Sequence, residues 1–106
     1  MYLVDTDWII EYLRGNDKIV PILQKLFDAG LFVSVISVAE LYEGVYASRN
    51  PEHEESLKDF LSGVVVLEID INVCKIFGKL RHKLRRKGEM IGDFDLLIAA
   101  TAFQTT

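Results

Sequence analysis

Apolar residues run along this chain in two rhythms. Short unbroken runs, Met1 to Val4, Leu31 to Ser34 and Val64 to Leu67, have the length and branched content of buried strands. Elsewhere apolar residues recur every three or four positions, the signature of helices with one buried face. The first run stops on Asp5-Thr6-Asp7, where Thr6 or Asp7 can cap a short helix through about Arg14, with Trp8, Ile9 and Leu13 on one face and Gly15 as its stop. A second helix, about Asp17 to Ala29, repeats Ile19, Ile22, Leu23 and Leu26, and it tolerates Pro21 near its first turn before ending at Gly30. Ser37 can cap a third helix from Val38 to about Tyr46. Pro51 and Glu52 open a fourth that ends near Ser62-Gly63. A long helix from about Asp70 to Lys87 turns Val73, Ile76, Phe77, Leu80 and Leu84 inward and stops at Gly88. The last begins near Asp93 and carries Leu96, Leu97, Ile98 and Ala99 towards the core.

Strands separated by helices imply crossover connections, which are right-handed in nearly all proteins. The expected fold is therefore α/β, with a parallel sheet between helices. No linker, repeat or low-complexity stretch divides residues 1–106, which read as a single domain.

Composition changes this picture in three places. The formal net charge of −4 argues against a passive nucleic-acid coat protein and leaves open an enzyme that works with acids and a metal. Cys74 is the only cysteine, so no internal disulfide forms; its neighbours suggest a small buried hydrophobe rather than a reactive thiol. With no signal-peptide pattern and no apolar stretch near the ~20 residues of a membrane span, the expected location is the cytoplasm, away from membranes.

The candidate chemistry lies in carboxylates at element ends. Asp5 closes the first strand, where flanking helices should leave it little solvent. Glu40 is expected in the first turn of the helix after the second strand, and Asp93 and Asp95 in or beside the first turn of the last helix. Parallel strands with right-handed crossovers place Asp5 and Glu40 on one sheet edge, and the last helix can bring Asp95 there if it packs against the first strand. Three carboxylates within about 5 Å repel by roughly 3 kcal/mol per pair at an effective dielectric near 20. Such a cluster calls for a hard cation such as Mg2+ or Mn2+, which suits metal-assisted phosphodiester hydrolysis. Each acid also has a plainer explanation. Asp93 can be a helix cap, Asp7 a solvated one, and Glu40 the far half of a Ser37 capping box.

Two further features stay open. The run from Lys79 to Lys87 gathers cations that either complement a helix C-terminus or touch RNA phosphates through Arg81, Lys83, Arg85 and Arg86, with His82 a phosphate or solvent contact. Tyr42 and Tyr46, one helical turn apart, are either core residues or part of a partner surface.

The stretch Ile91-Gly92-Asp93-Phe94-Asp95-Leu96-Leu97-Ile98-Ala99-Ala100 resembles the acidic signature of PIN domains, specifically the VapC-type toxin ribonucleases of toxin–antitoxin pairs. Tyr2-Leu3-Val4-Asp5-Thr6 and Ile36-Ser37-Val38-Ala39-Glu40-Leu41-Tyr42-Glu43-Gly44 match two further motifs of that family in order and spacing. The resemblance implies a three-layer PIN-like fold and a metal-dependent endoribonuclease using Mg2+ or Mn2+. Asp5, Glu40 and Asp95 match the family's metal-binding acids, Asp93 an accessory acid, and Thr6 a supporting hydroxyl. It also implies a homodimer silenced by a VapB-type antitoxin.

Family members continue past the last helix into another strand, whereas this chain stops at Thr106. The expectation is a domain truncated at its C-terminus, with a normally central strand left as an edge. That keeps a second reading alongside the first: a catalytically incompetent truncated PIN-like module acting through dimer or antitoxin binding. Asp5-Thr6-Asp7 also resembles the nucleophile motif of haloacid-dehalogenase-type phosphatases, but that family's late acidic loop wants an Asp where this chain has Leu97.

Overall fold

The two rhythms resolve into three parallel strands and six helices among the described residues of a computed structural model, which covers residues 2–89 and 91–105. In chain order the elements are β1 (Tyr2–Leu3), α1 (Thr6–Leu13), α2 (Ile19–Ala29), β2 (Leu31–Ser34), α3 (Val35–Ser48), α4 (Pro51–Ser62), β3 (Val65–Leu67), α5 (Ile71–Arg86) and α6 (Asp93–Thr105). The strand expected from Met1 to Val4 is shorter than that. Met1 lies outside the described residues, as do Met90 and Thr106.

The strands lie in the order β1-β2-β3, all parallel, with Leu3 opposite Phe32 and Phe32 opposite Val65. Val4 N–H donates to the Phe32 carbonyl at 2.9 Å, which carries the pairing one residue past β1. Because the strands run the same way, α1 and α3 both start from the same edge of the sheet. Gly30 closes α2 at φ 93° and Gly88 follows α5 at φ 72°, in the region that side chains with a Cβ disfavour.

The chain forms two compact units, residues 1–67 and residues 68–106. The first unit contains the whole sheet and α1 to α4. Ile9, Leu23, Leu31, Val33 and Leu57 are fully buried there, each contributing about 1.5–3 kcal/mol relative to exposure. Tyr12, Phe27 and Phe60 close one side as an aromatic trio, with ring centroids 5.4–5.9 Å apart. In the second unit α5 and α6 pack against each other. Asp70 caps α5 by accepting the Val73 N–H at 2.9 Å, and Val73, Leu96 and Ala100 are buried.

Several local expectations are corrected. Asp5, not Thr6 or Asp7, occupies the cap position of α1. Trp8 faces outward at 41% exposure while Ile9 is buried and Ile10 packs beside it, so the core-facing side of α1 lies past Trp8. Cys74 is exposed, since α5 buries Val73 and turns the next residue outward. Ile76, Phe77, Leu80 and Leu84 are only half-buried. No helix among the described residues is long and apolar enough to cross a membrane.

Candidate active site

Ser34, not Ser37, starts α3: its hydroxyl accepts the Ile36 N–H at 3.1 Å. The helix therefore begins three residues earlier than the sequence suggested, and two consequences follow. Glu40 falls in the second turn rather than the first, so no Ser37 capping box exists. Ser37 becomes an interior residue, completely buried on the turn that carries Glu40.

The same shift builds a contact between the first two acidic motifs. Thr6, the first residue of α1, is buried, and its Oγ1 lies 2.9 Å from Ser37 Oγ and 3.0 Å from Glu40 Oε1. Thr6 has one hydroxyl proton. An ionised carboxylate only accepts, so that proton goes to Glu40, and Ser37 takes the donor's part in the other contact. Glu40 is half-buried, and a charge-assisted bond of this kind fixes its rotamer. Residues 34, 37 and 40 recur at intervals of three; read as one helical face, that spacing would have revealed Ser37 as part of the network.

Asp5 directly precedes Thr6 at the strand-to-helix junction. The structure corrects its expected burial: its side chain is exposed, and it makes no capping bond to the α1 backbone. β1 ends at Leu3, and Asp5 follows the last paired residue, Val4, in extended conformation. Its oxygens are therefore not committed to holding the helix. Asp7 is exposed within the first turn of α1.

In the second unit, Asp93 and Asp95 both occupy the first turn of α6 and are exposed. Asp93 begins the helix instead of capping it; the Gly92 carbonyl accepts the first helical bond from Leu96 N–H at 2.9 Å. Asp93 Oδ1 lies 3.6 Å from Arg81 Nη1, and the Arg81 guanidinium stands 5.8 Å from the centre of the Phe77 ring. Arg81, one of the cations read as either a helix-terminus charge or an RNA contact, meets an acid of its own unit. Arg81 and Arg85 line a small cleft of about 90 Å3 with Leu84, Glu89, Ile91, Asp93 and Leu96. Lys83 and Arg86 open onto a different surface, together with His82 and Lys87.

Taken by itself, neither unit gathers three His, Cys, Asp or Glu side chains into a metal site among the described residues. What each supplies is a pair of hard carboxylates, Asp5 with Glu40 and Asp93 with Asp95. All-oxygen donors of this kind suit Mg2+ or Mn2+ better than a softer metal. Of the two tyrosines, Tyr42 packs half-buried against the core and Tyr46 is 61% exposed, with their rings 5.9 Å apart.

With strand order, motif placement and the Thr6–Glu40 contact established, the class is clear: the PIN domain family profile matches residues 2–106, and the chain belongs to that family. Within it, the likeness is to the VapC proteins. Ribonuclease VapC2 of Haemophilus influenzae is 35% identical over 104 residues, spanning 95% of this chain and 77% of that protein. The structure of VapBC2 from Rickettsia felis, bound to a DNA fragment from its promoter, matches with a TM-score of 0.86 and 31% identity over 95% of this chain and 79% of that one. FitAcB from Neisseria gonorrhoeae matches with a TM-score of 0.84 and 32% identity over 99% and 82%.

Proposed function

We propose that this chain is a VapC-type endoribonuclease toxin that hydrolyses RNA phosphodiester bonds with the help of Mg2+ or Mn2+. It works as a cytoplasmic homodimer and is held in check by a VapB-type antitoxin. The ribonuclease and toxin–antitoxin parts of this reading are supported by the VapC relatives and the VapBC structures. One observation in the molecule carries it furthest. Thr6 Oγ1 joins the Asp5-Thr6 motif to Glu40 at 3.0 Å, and this contact between the two motifs supports the reading of a shared site.

The residues proposed to hold the ion are Asp5, Glu40 and Asp95, with Asp93 as an accessory acid. Their support is the match of all three motifs to the family and the uncommitted carboxylate oxygens of Asp5. A bound divalent ion supplies charge neutralisation at phosphate and makes water a better nucleophile. The protein's own part is positional. Thr6 holds Glu40 in a fixed rotamer, Ser37 holds Thr6, and Asp5 directly precedes Thr6 at the start of α1. Asp93 and Asp95 in the first turn of α6 stand where the helix polarity favours carboxylates.

The test is purified wild type against Asp5→Asn on a labelled RNA, with and without Mn2+, alongside a calorimetric Mn2+ titration. Cleavage and a saturable site are expected in the wild type, and loss of both with an unchanged fold in the variant. Equal cleavage by the variant, or cleavage insensitive to chelator, would reject the assignment.

A further inference from the structure

The cations near the end of α5 divide into two sets. Arg81 and Arg85 line the small cleft already described, where Arg81 lies 3.6 Å from Asp93. His82, Lys83, Arg86 and Lys87 are all exposed and line an open concavity of about 420 Å3 by themselves. They form two i, i+4 pairs, 82 with 86 and 83 with 87, and so share one helical face about 7.5 Å long at 1.5 Å per residue. Among the described residues none of these four has an acidic partner within ion-pair distance, in a chain whose acids outnumber its Lys and Arg by 16 to 12.

Helix polarity accounts for cations in the last turn, where Lys83, Arg85 and Arg86 lie. It does not require them on one face, and it does not extend to His82 one residue earlier. Nor does the lining suit a protein partner. Protein interfaces are built around an apolar centre and are depleted in Lys, whereas every residue around this concavity is His, Lys or Arg. A surface lined only by long basic side chains and a histidine suits a ligand that presents repeated anionic acceptors and no fixed shape.

We propose that His82, Lys83, Arg86 and Lys87 seat the phosphate backbone of single-stranded RNA independently of its sequence. The proposal rests on the ribonuclease reading and deepens it. The two sets of cations then do different work: Arg81 answers Asp93 at the start of α6 and Arg85 shares their cleft, while the outward face holds the strand.

The experiment measures binding of the full chain to a 5′-fluorescein 20-nucleotide oligouridylate by anisotropy, in EDTA to prevent cleavage, from 50 to 200 mM NaCl. Each lost phosphate contact on a single strand reduces the slope of log K against log salt by about 0.7. Lys83→Gln with Arg86→Gln should therefore flatten the slope by about 1.4, with an unchanged circular dichroism spectrum. Arg81→Gln with Arg85→Gln should leave it unchanged. An unchanged slope in the first pair, or a loss confined to the second, overturns the proposal. So does poly-glutamate of equal charge competing as well as unlabelled oligouridylate, which would mark an acidic protein partner. The Asp5→Asn cleavage assay is read separately. A flattened slope with cleavage that survives Asp5→Asn rejects the assigned nuclease site. An unchanged slope with cleavage lost in Asp5→Asn rejects only the strand seat.

Discussion

The two units hold their acids in opposite ways. In residues 1–67 Glu40 is half-buried and bonded to a buried threonine, which is bonded in turn to a fully buried serine. In residues 68–106 Asp93 and Asp95 stand exposed on the first turn of α6, and the Arg81–Asp93 pair at 3.6 Å is open to solvent on both sides. The first arrangement is set by packing, because moving Glu40 means breaking hydrogen bonds that water cannot easily replace. The second is set by helix polarity and weak ion pairing, which tolerate movement and are screened by salt.

The largest expected effect tests Asp5, the exposed member of the fixed half. Asp5→Asn should reduce RNA cleavage by more than the ~10–100-fold typical of losing an outer-shell partner. The melting temperature should hardly move, since the side chain caps nothing. A large drop in melting temperature would mean that Asp5 is structural, and the contrast between the units would fail.

Next comes the network itself. Thr6→Val keeps the shape but removes the hydroxyl between Ser37 and Glu40, at a cost of about 1–3 kcal/mol in urea denaturation. Mn2+ affinity should fall ~10–100-fold by calorimetry, and Thr6→Ser should restore both. Failure of serine to rescue would point to the methyl group and packing instead.

The helix caps separate support of the site from support of the fold. Ser34 caps α3, which carries Glu40, and Asn50 caps α4, which carries no candidate residue. Ser34→Ala and Asn50→Ala should each cost about 1 kcal/mol, but only the first should also weaken Mn2+ binding. Equal effects on metal would show that any destabilisation of this unit disturbs the site.

The smallest effect is expected in the second unit. Arg81→Ala should change stability by less than about 1 kcal/mol, and 0.5 M NaCl should remove most of the difference. A loss comparable to Thr6→Val would show that Asp93 is held as firmly as Glu40.

The sequence by itself determined the order of elements, the strand at Leu31–Ser34, the helix from Pro51 to Ser62, the parallel sheet and the three acidic motifs. These depend on local periodicity, turn residues and motif spacing, all written along the chain. Tertiary structure decided which serine starts α3, that Ser37 and Thr6 are buried together, that Asp5 faces solvent, and which α5 cations meet an acid of their own unit. Ser34 and Ser37 are equally good caps on local chemistry, so only the end of β2 beside β1 chooses between them. Arg81 and Lys83 look alike in a basic run, and only the packing of α6 on α5 gives one of them a carboxylate and leaves the other to solvent. Such choices turn on contacts between segments far apart in sequence, whose free energies no short window of residues contains.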